Sequence, residues 1–326
     1  CCPGGPGPGR PGQEILSTLP HLTRASAPLV QEVRAVNEFG EACLVSIPAE
    51  RALTVYVDKR ELVTLMTLGA HPELLVLGFL RNQRLVQSVH EVESITVDWD
   101  VGAAAVKTRA GISDIASRTA KKVVTTGCGQ GSVFGDLMAE VDQLQLPPAT
   151  LTQAQLYGIV NAIRLQESTY KSAGSVHGCA LFQGEQMLIF VEDVGRHNAI
   201  DTIAGWMSMQ EAAPTLAAAR AALPPGGASF ALGRPGGETA ASAEAGMSGA
   251  DKVFYTTGRL TSEMVIKSAQ MGVPIVVSRS GITQMGQQLA QTLGLCTIGR
   301  AMNRRFLCYS ASDRLLLQPE LAKPGV

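Results

Sequence analysis

The sequence has no Cys-x-x-Cys pair, no long basic run, no apolar stretch long enough to span a bilayer and no zinc-deaminase signature. Each absence removes a class. Without paired cysteines a structural zinc site is not expected, and the deaminase metal site fails on both parts: the neighbourhoods of His177 and His197 carry neither the His-x-Glu step nor the Pro-Cys-x-x-Cys step. A formal net charge of -1 argues against nucleic acid or an anionic membrane as a partner. A P-loop is missing, and so is a G-x-G-x-x-G that opens a helix after a strand. The opening "CCPGGPGPGRPGQ" lacks the basic-then-apolar pattern of a secretory leader, so a cytoplasmic protein is expected. The chain does not begin with methionine, and residues 1–28 read as a disordered tail or a mispredicted start, with Cys1 and Cys2 part of a frayed end rather than metal ligands.

What is present is a chain of 326 residues, 45% hydrophobic and 17% charged, which fits one large or two ordinary globular domains. Its seven cysteines are odd in number and scattered, which favours a reducing compartment. "ALTVYVDKREL" alternates through Leu53, Val55 and Val57 as a half-buried strand, and "SITVDWDV" repeats that period. Between them "HPELLVLGFLRNQRLV" reads as a helix, with Pro72 in the first turn and Leu75, Phe79 and Leu80 inward. Residues 29–120 are therefore expected to form a small α+β domain. "LTQAQLYGIVNAIRLQ" is a second helix with Thr152 as N-cap, and "GCALFQGEQMLIFVEDVG" two strands around a turn at Gln183-Gly184, followed by a helix through "AIDTIAGWM".

The last third repeats strand then helix: "KVFYTTG", "TSEMVIKSAQMG", "PIVVSRSG", "ITQMGQQLAQTLG", "CTIGRAM". That rhythm predicts parallel strands with helical crossovers, and ligands of such sheets sit beyond the carboxyl ends of the strands. Two of these turns, Gly258-Arg259-Leu260-Thr261 and Ser278-Arg279-Ser280-Gly281, combine glycine, hydroxyl and guanidinium. Either turn alone reads equally well as an ordinary turn with a solvated arginine, but two in register on one edge favour an anion site. From about Glu211 to Gly249 the chain turns rich in Ala, Gly, Pro and Ser, as expected of a surface insertion.

"TTGCGQGSVFGD" sets Cys128 among four glycines, a backbone too costly to order in a core, so this thiol is expected to be reachable. Cys179 in "GCALF", Cys296 in "LCTIG" and Cys308 in "FLCYS" sit in strand-like apolar contexts and read as small buried hydrophobes. In "EDVGRHNAID", Glu192, Asp193, Arg196 and His197 cluster at a strand-to-helix turn. Structural support or cofactor positioning is preferred over acid-base work there, with His197 the base if one assists Cys128.

Several stretches in order, "HPELLVLGFL", "TTGCGQGSVFG", "GSVHGCALF", "FVEDVGRHNAIDTIAGW", "TTGRLTSEMVIKSAQMGVPIVVSRSG" and "GRAMNRRFLCYSASDRL", resemble the FdhD family of sulfur carrier proteins required for active formate dehydrogenase. The resemblance runs from about Leu29 to the end, outside the insertion. It implies an α/β fold in which residues 121–326 form a cytidine-deaminase-like domain without zinc, preceded by the smaller α+β domain. It implies a sulfurtransferase: a carrier that takes persulfide sulfur from an L-cysteine desulfurase and passes it to the bis(molybdopterin guanine dinucleotide) molybdenum cofactor, a bound substrate, for formate dehydrogenase. A homodimer is compatible with it. Cys128 would carry the persulfide, as a thiolate on a loop tip reachable by two partners. The cofactor contacts would be Arg259, Ser278, Arg279 and the segment Arg300, Ala301, Met302, Asn303, Arg304 and Arg305, which aligns with the family's cofactor-binding segment.

One departure matters: most family members carry a second cysteine where this chain has Gly131. A resolving cysteine would turn the persulfide into a disulfide and release sulfide, so transfer does not require it. Its loss leaves open a non-catalytic cofactor-binding chaperone, and, more distantly, a cysteine hydrolase pairing Cys128 with His177 or His197.

Overall fold

The computed structural model describes residues 19–112, 144–212 and 247–322. Its first half is built on a hairpin. Along β4 (Arg51–Val57) the side chains of Leu53, Val55 and Val57 alternate into the core. The strand then reverses at Asp58 and Lys59, both at positive φ (46° and 70°), the two-residue turn whose twist matches paired strands. The segment "ALTVYVDKREL", read as one strand, is thus two, because the turn is made by two charged residues that leave no Gly or Pro signal. β5 (Arg60–Thr67) completes the pair. β1 (His21–Leu22), β6 (Val92–Asp98) and β7 (Ala103–Thr108) extend it into a five-stranded sheet of order β1-β6-β7-β4-β5. Residues 19–28, expected to belong to a tail, are instead tied to this sheet. His21 and Leu22 pair with Ser94 and Ile95, while Thr23 and Ala25 donate to Glu73, so residues from 19 on belong to the fold. β2 (Val30–Val36) and β3 (Ala42–Pro48) form a separate hairpin.

Helix α1 (Pro72–Asn82) starts on its proline and buries Leu75, Val76, Phe79 and Leu80, packed against that sheet's core. After β8 (Leu151–Thr152), α2 (Gln153–Leu165) opens with Thr152 accepting from the Gln155 backbone N–H while Gln155 accepts from that of Thr152, a capping box. α3 (Thr169–Ala173) follows. β9 (His177–Gln183) and β10 (Gln186–Asp193) make a hairpin whose turn, Gly184-Glu185, lies one residue beyond the expected place. α4 (Arg196–Ala212) begins three residues before the expected "AIDTIAGWM".

Then β11 (Lys252–Thr256), α5 (Ser262–Gln270), β12 (Ile275–Ser278), α6 (Gln284–Leu293) and β13 (Cys296–Met302) follow the expected rhythm, with β11, β12 and β13 parallel. β14 (Arg305–Ser310) adds an antiparallel edge, giving the order β10-β9-β11-β12-β13-β14. β15 (Leu315–Leu316) pairs with β8. α4, α5 and α6 cover one face of this sheet, and α2 packs on the other. The expected insertion is structured at its described ends: Glu211 lies in the last turn of α4 and pairs with Arg81 at 3.5 Å, while Met247 packs on the core.

α1 and α4 cross through glycine. A Cβ on Gly78 would stand 1.7 Å from the Asp201 carbonyl oxygen, and one on Gly205 2.0 Å from that of Leu74, so the backbones touch where any side chain would hold them apart. This crossing joins the two sheets.

Candidate functional site

Strand register collects the sequence motifs on one edge of the six-stranded sheet. Asp193 at the end of β10 pairs with His177 at the start of β9, Cys179 pairs with Thr256, and Thr256 with Ser278. The turns beyond β11 and β12 are laced together. The Arg279 N–H donates to the Thr256 carbonyl (3.0 Å), Ser278 Oγ to the Gly258 carbonyl (2.7 Å), and the Arg300 N–H to the Ser280 carbonyl (2.7 Å). Gly258 is required here, since a Cβ would lie 2.9 Å from Arg196 Cδ and 3.5 Å from His177 Nδ1. The N-termini of α5 and α6 open onto the same edge. Thr283 caps α6 through the Gly286 N–H, whereas Thr261, the N-cap of α5, makes no such bond and its Oγ1 is buried without a partner among the described residues.

Beneath the edge the polar side chains are tied up. Asp193 accepts from Thr67 Oγ1 (2.5 Å), the Leu68 N–H (3.2 Å), the Gly195 N–H (3.1 Å) and Asn198 Nδ2 (2.8 Å), which binds β5 to the start of α4. Burial still pushes its carboxyl above the usual range, against those donors. Glu192 accepts from the Thr169 and Tyr170 N–H groups at the start of α3. Deeper, His197 Nε2 lies 3.2 Å from Glu263, Glu263 lies 3.7 Å from Lys267, Lys267 bonds Asp201 at 2.8 Å, and Asn82 donates to Asp201 at 2.7 Å. Burial pulls His197 down to about 3, helped by the Lys267 charge and opposed by Glu263, so its imidazole is neutral. Burial acts the same way on Lys267, but Asp201 and Glu263 together outweigh it and hold the ammonium above its usual range. At the edge, burial and then the Arg196 and Arg259 charges keep His177 low. The outer surface thus presents the exposed residues Arg259, Arg279 and Arg300, while the Asp193 carboxylate is buried and that of Glu192 is held by the start of α3. Such an arrangement suits a polyanion.

The model of the FdhD/NarQ family matches residues 48–221 and 240–316, most of the chain. The chain belongs to the FdhD/NarQ family. Relatives named sulfur carrier protein FdhD from Halalkalibacterium halodurans and Bacillus subtilis are 27% identical over 273 residues and 26% identical over 272, covering 83% and 82% of this chain and 88% of each relative. A solved structure from Desulfotalea psychrophila, described as a formate dehydrogenase accessory protein, superposes with a TM-score of 0.63 at 22% identity over 89% of this chain and 100% of that one. The mixed α/β fold is therefore shared with that structure.

In this FdhD/NarQ chain the expected contacts divide. Arg259, Ser278, Arg279 and Arg300 meet on the edge, but the Ser278 hydroxyl is buried and joins the two turns. Ala301 is buried. Met302, Asn303, Arg304 and Arg305 are exposed on the β13–β14 turn, where the Arg304 carbonyl accepts from Tyr157 and its guanidinium donates to the Leu321 carbonyl. Cys128 and Gly131 lie outside the described residues. Cys179, Cys296 and Cys308 are in strands as expected, Cys308 only partly buried, and burial pushes Cys179 up to about 12. His197 faces the buried ion network and is a weak base. The network itself went unforeseen. Its one sequence signal was the Glu263–Lys267 spacing, i and i+4, inside the otherwise uncharged stretch "TSEMVIKSAQ". Among the described residues no helix is long and apolar enough to cross a membrane.

Proposed function

We propose that the chain is a sulfurtransferase of the cytoplasm that serves formate dehydrogenase, accepting sulfur on Cys128 and delivering it to a bis(molybdopterin guanine dinucleotide) molybdenum cofactor bound at the cationic edge. The Cys128 thiolate attacks the terminal sulfur of a cysteine desulfurase persulfide. That S–S bond breaks, the desulfurase thiolate leaves, and Cys128 holds the sulfane sulfur until the cofactor takes it. The observation that carries the reading is the edge: Arg259, Arg279 and Arg300 exposed together over the N-termini of α5 and α6. Diphosphates need several donors, and this edge supplies guanidiniums and helix N-terminal N–H groups together. The six-stranded sheet with helices on both faces supports a cytidine-deaminase-like domain, and a homodimer is compatible with it. Arg196 and His177, stacked on Gly258, would hold the floor of the site.

Gly131 in the place of a second loop cysteine favours one rival, a chaperone that binds the cofactor without moving sulfur. Intact mass spectrometry after incubation with a desulfurase and L-cysteine separates the two. A gain of one sulfur, lost in Cys128→Ala, is the expected result; an unmodified chain that still restores formate dehydrogenase activity would establish the chaperone instead.

A further inference from the structure

Away from that edge, at the opposite end of β13, two thiols face each other. Cys296 Sγ lies 3.9 Å from Cys308 Sγ across the β13–β14 pair. Cys308 stands opposite Ile298, two residues on from Cys296 and on the same side of the sheet, and a bulge between Thr297 and Ile298 shifts the register just there. Cys296 is fully buried, whereas Cys308 is partly buried and lines a surface cavity of about 510 Å³ with Gln291, Gly294, Tyr309 and Asp313. Cys308 is thus partly open to solvent, whereas Cys296 is sealed.

We infer that Cys296 and Cys308 form an oxidisable dithiol, with Cys308 the thiol that meets a peroxide and Cys296 the thiol that resolves it. The Cys308 thiolate attacks one peroxide oxygen; the O–O bond breaks, hydroxide leaves and takes up a proton as water, and Cys308 becomes a sulfenic acid. The Cys296 thiol then gives up its proton and attacks the Cys308 sulfur. The S–S bond forms as the S–O bond breaks, and a second water leaves. Two thiols are oxidised and one peroxide is reduced. Closing 3.9 Å to a bond of about 2.05 Å asks the sulfurs to approach by about 2 Å, within reach of side-chain rotation on adjacent strands. The Cys296 thiol is placed to donate to a Cys308 thiolate, which holds Cys308 below the usual thiol range against the effect of burial and prepares it for the first step.

The test uses the full chain with Cys1, Cys2 and Cys128 changed to serine, treated with one equivalent of hydrogen peroxide, alkylated, digested and mapped by mass spectrometry. A Cys296–Cys308 linked peptide, with Cys43 and Cys179 still alkylated after denaturation, is expected. In the same background Cys296→Ser should leave a sulfenic acid on Cys308 that dimedone traps, and Cys308→Ser should leave Cys296 reduced. Circular dichroism checks that each variant is folded. Oxidation of Cys43 or Cys179 ahead of the pair, or a folded Cys296→Ser protein that traps no dimedone, would overturn the assignment.

Discussion

Lys267 and Asp201 meet at 2.8 Å with almost no exposure on either side chain, inside the core that α4 and α5 share. Two charges taken out of water together are tolerated only as a pair, and here Glu263 and Asn82 complete their coordination. The pair also lies under the α1–α4 crossing, since Asp201 supplies the carbonyl that Gly78 touches.

Lys267→Met should cost about 3–5 kcal/mol, because it strands buried carboxylates. Chemical denaturation measures the loss. The double variant Lys267→Met with Asp201→Asn should be more stable than the sum of the two single losses predicts. Strict additivity would mean the two groups do not act as a pair.

Gly205→Ala puts a Cβ 2.0 Å from the Leu74 carbonyl oxygen, so the helices must move apart, at a cost of about 1–3 kcal/mol. Gly281→Ala is the control, as its Cβ would meet nothing within 4 Å. A melting temperature that falls in the first and holds in the second is expected, and equal melting temperatures would deny the close crossing.

His197 makes stability fall with acid. Its folded pKa is about 3 against an ordinary histidine value of 6.5, so between those values the unfolded chain binds a proton that the folded chain refuses. The contribution of the neutral imidazole is complete above pH 6.5 and drains away as pH falls toward 3, by up to about 1.4 kcal/mol per pH unit. Asp193 and Asp201, whose carboxyls are raised by burial, act with the opposite sign, so the comparison is between wild type and His197→Asn. Urea midpoints at pH 7 and pH 4.5 should converge for the variant relative to wild type; identical shifts in both would rule out His197 as the titrating group. Lys267, Glu263, Arg196 and His177 are the charges that face it.

Arg259→Ala and Arg279→Ala should each weaken binding of GDP, a fragment of the proposed cofactor, by about tenfold, the loss of one charge-assisted contact. Calorimetric titration reads this directly. Unchanged affinity in both variants, with wild-type binding detected, would move the nucleotide away from the edge.

Much of the architecture was legible in sequence because local rules carry it. The period-2 and period-3.6 patterns located β4, β6, α1, α2 and the strand–helix alternation of the last third, and Thr152 announced its own cap. Order alone also put Arg259 and Arg279 after successive parallel strands, hence on one edge. The Asp58-Lys59 reversal was illegible because Asp58 is followed by a lysine rather than by the glycine that usually marks a two-residue turn. Only the tertiary structure decided the rest. That Ser278 ties turns together, that His197 turns inward to Glu263, that Gly78 meets Gly205's helix and that Cys296 faces Cys308 all depend on distances between residues far apart in the chain. Periodicity assigns a side chain to a face, but which group stands opposite is set by strand register and helix crossing, and these are fixed by packing of the whole core.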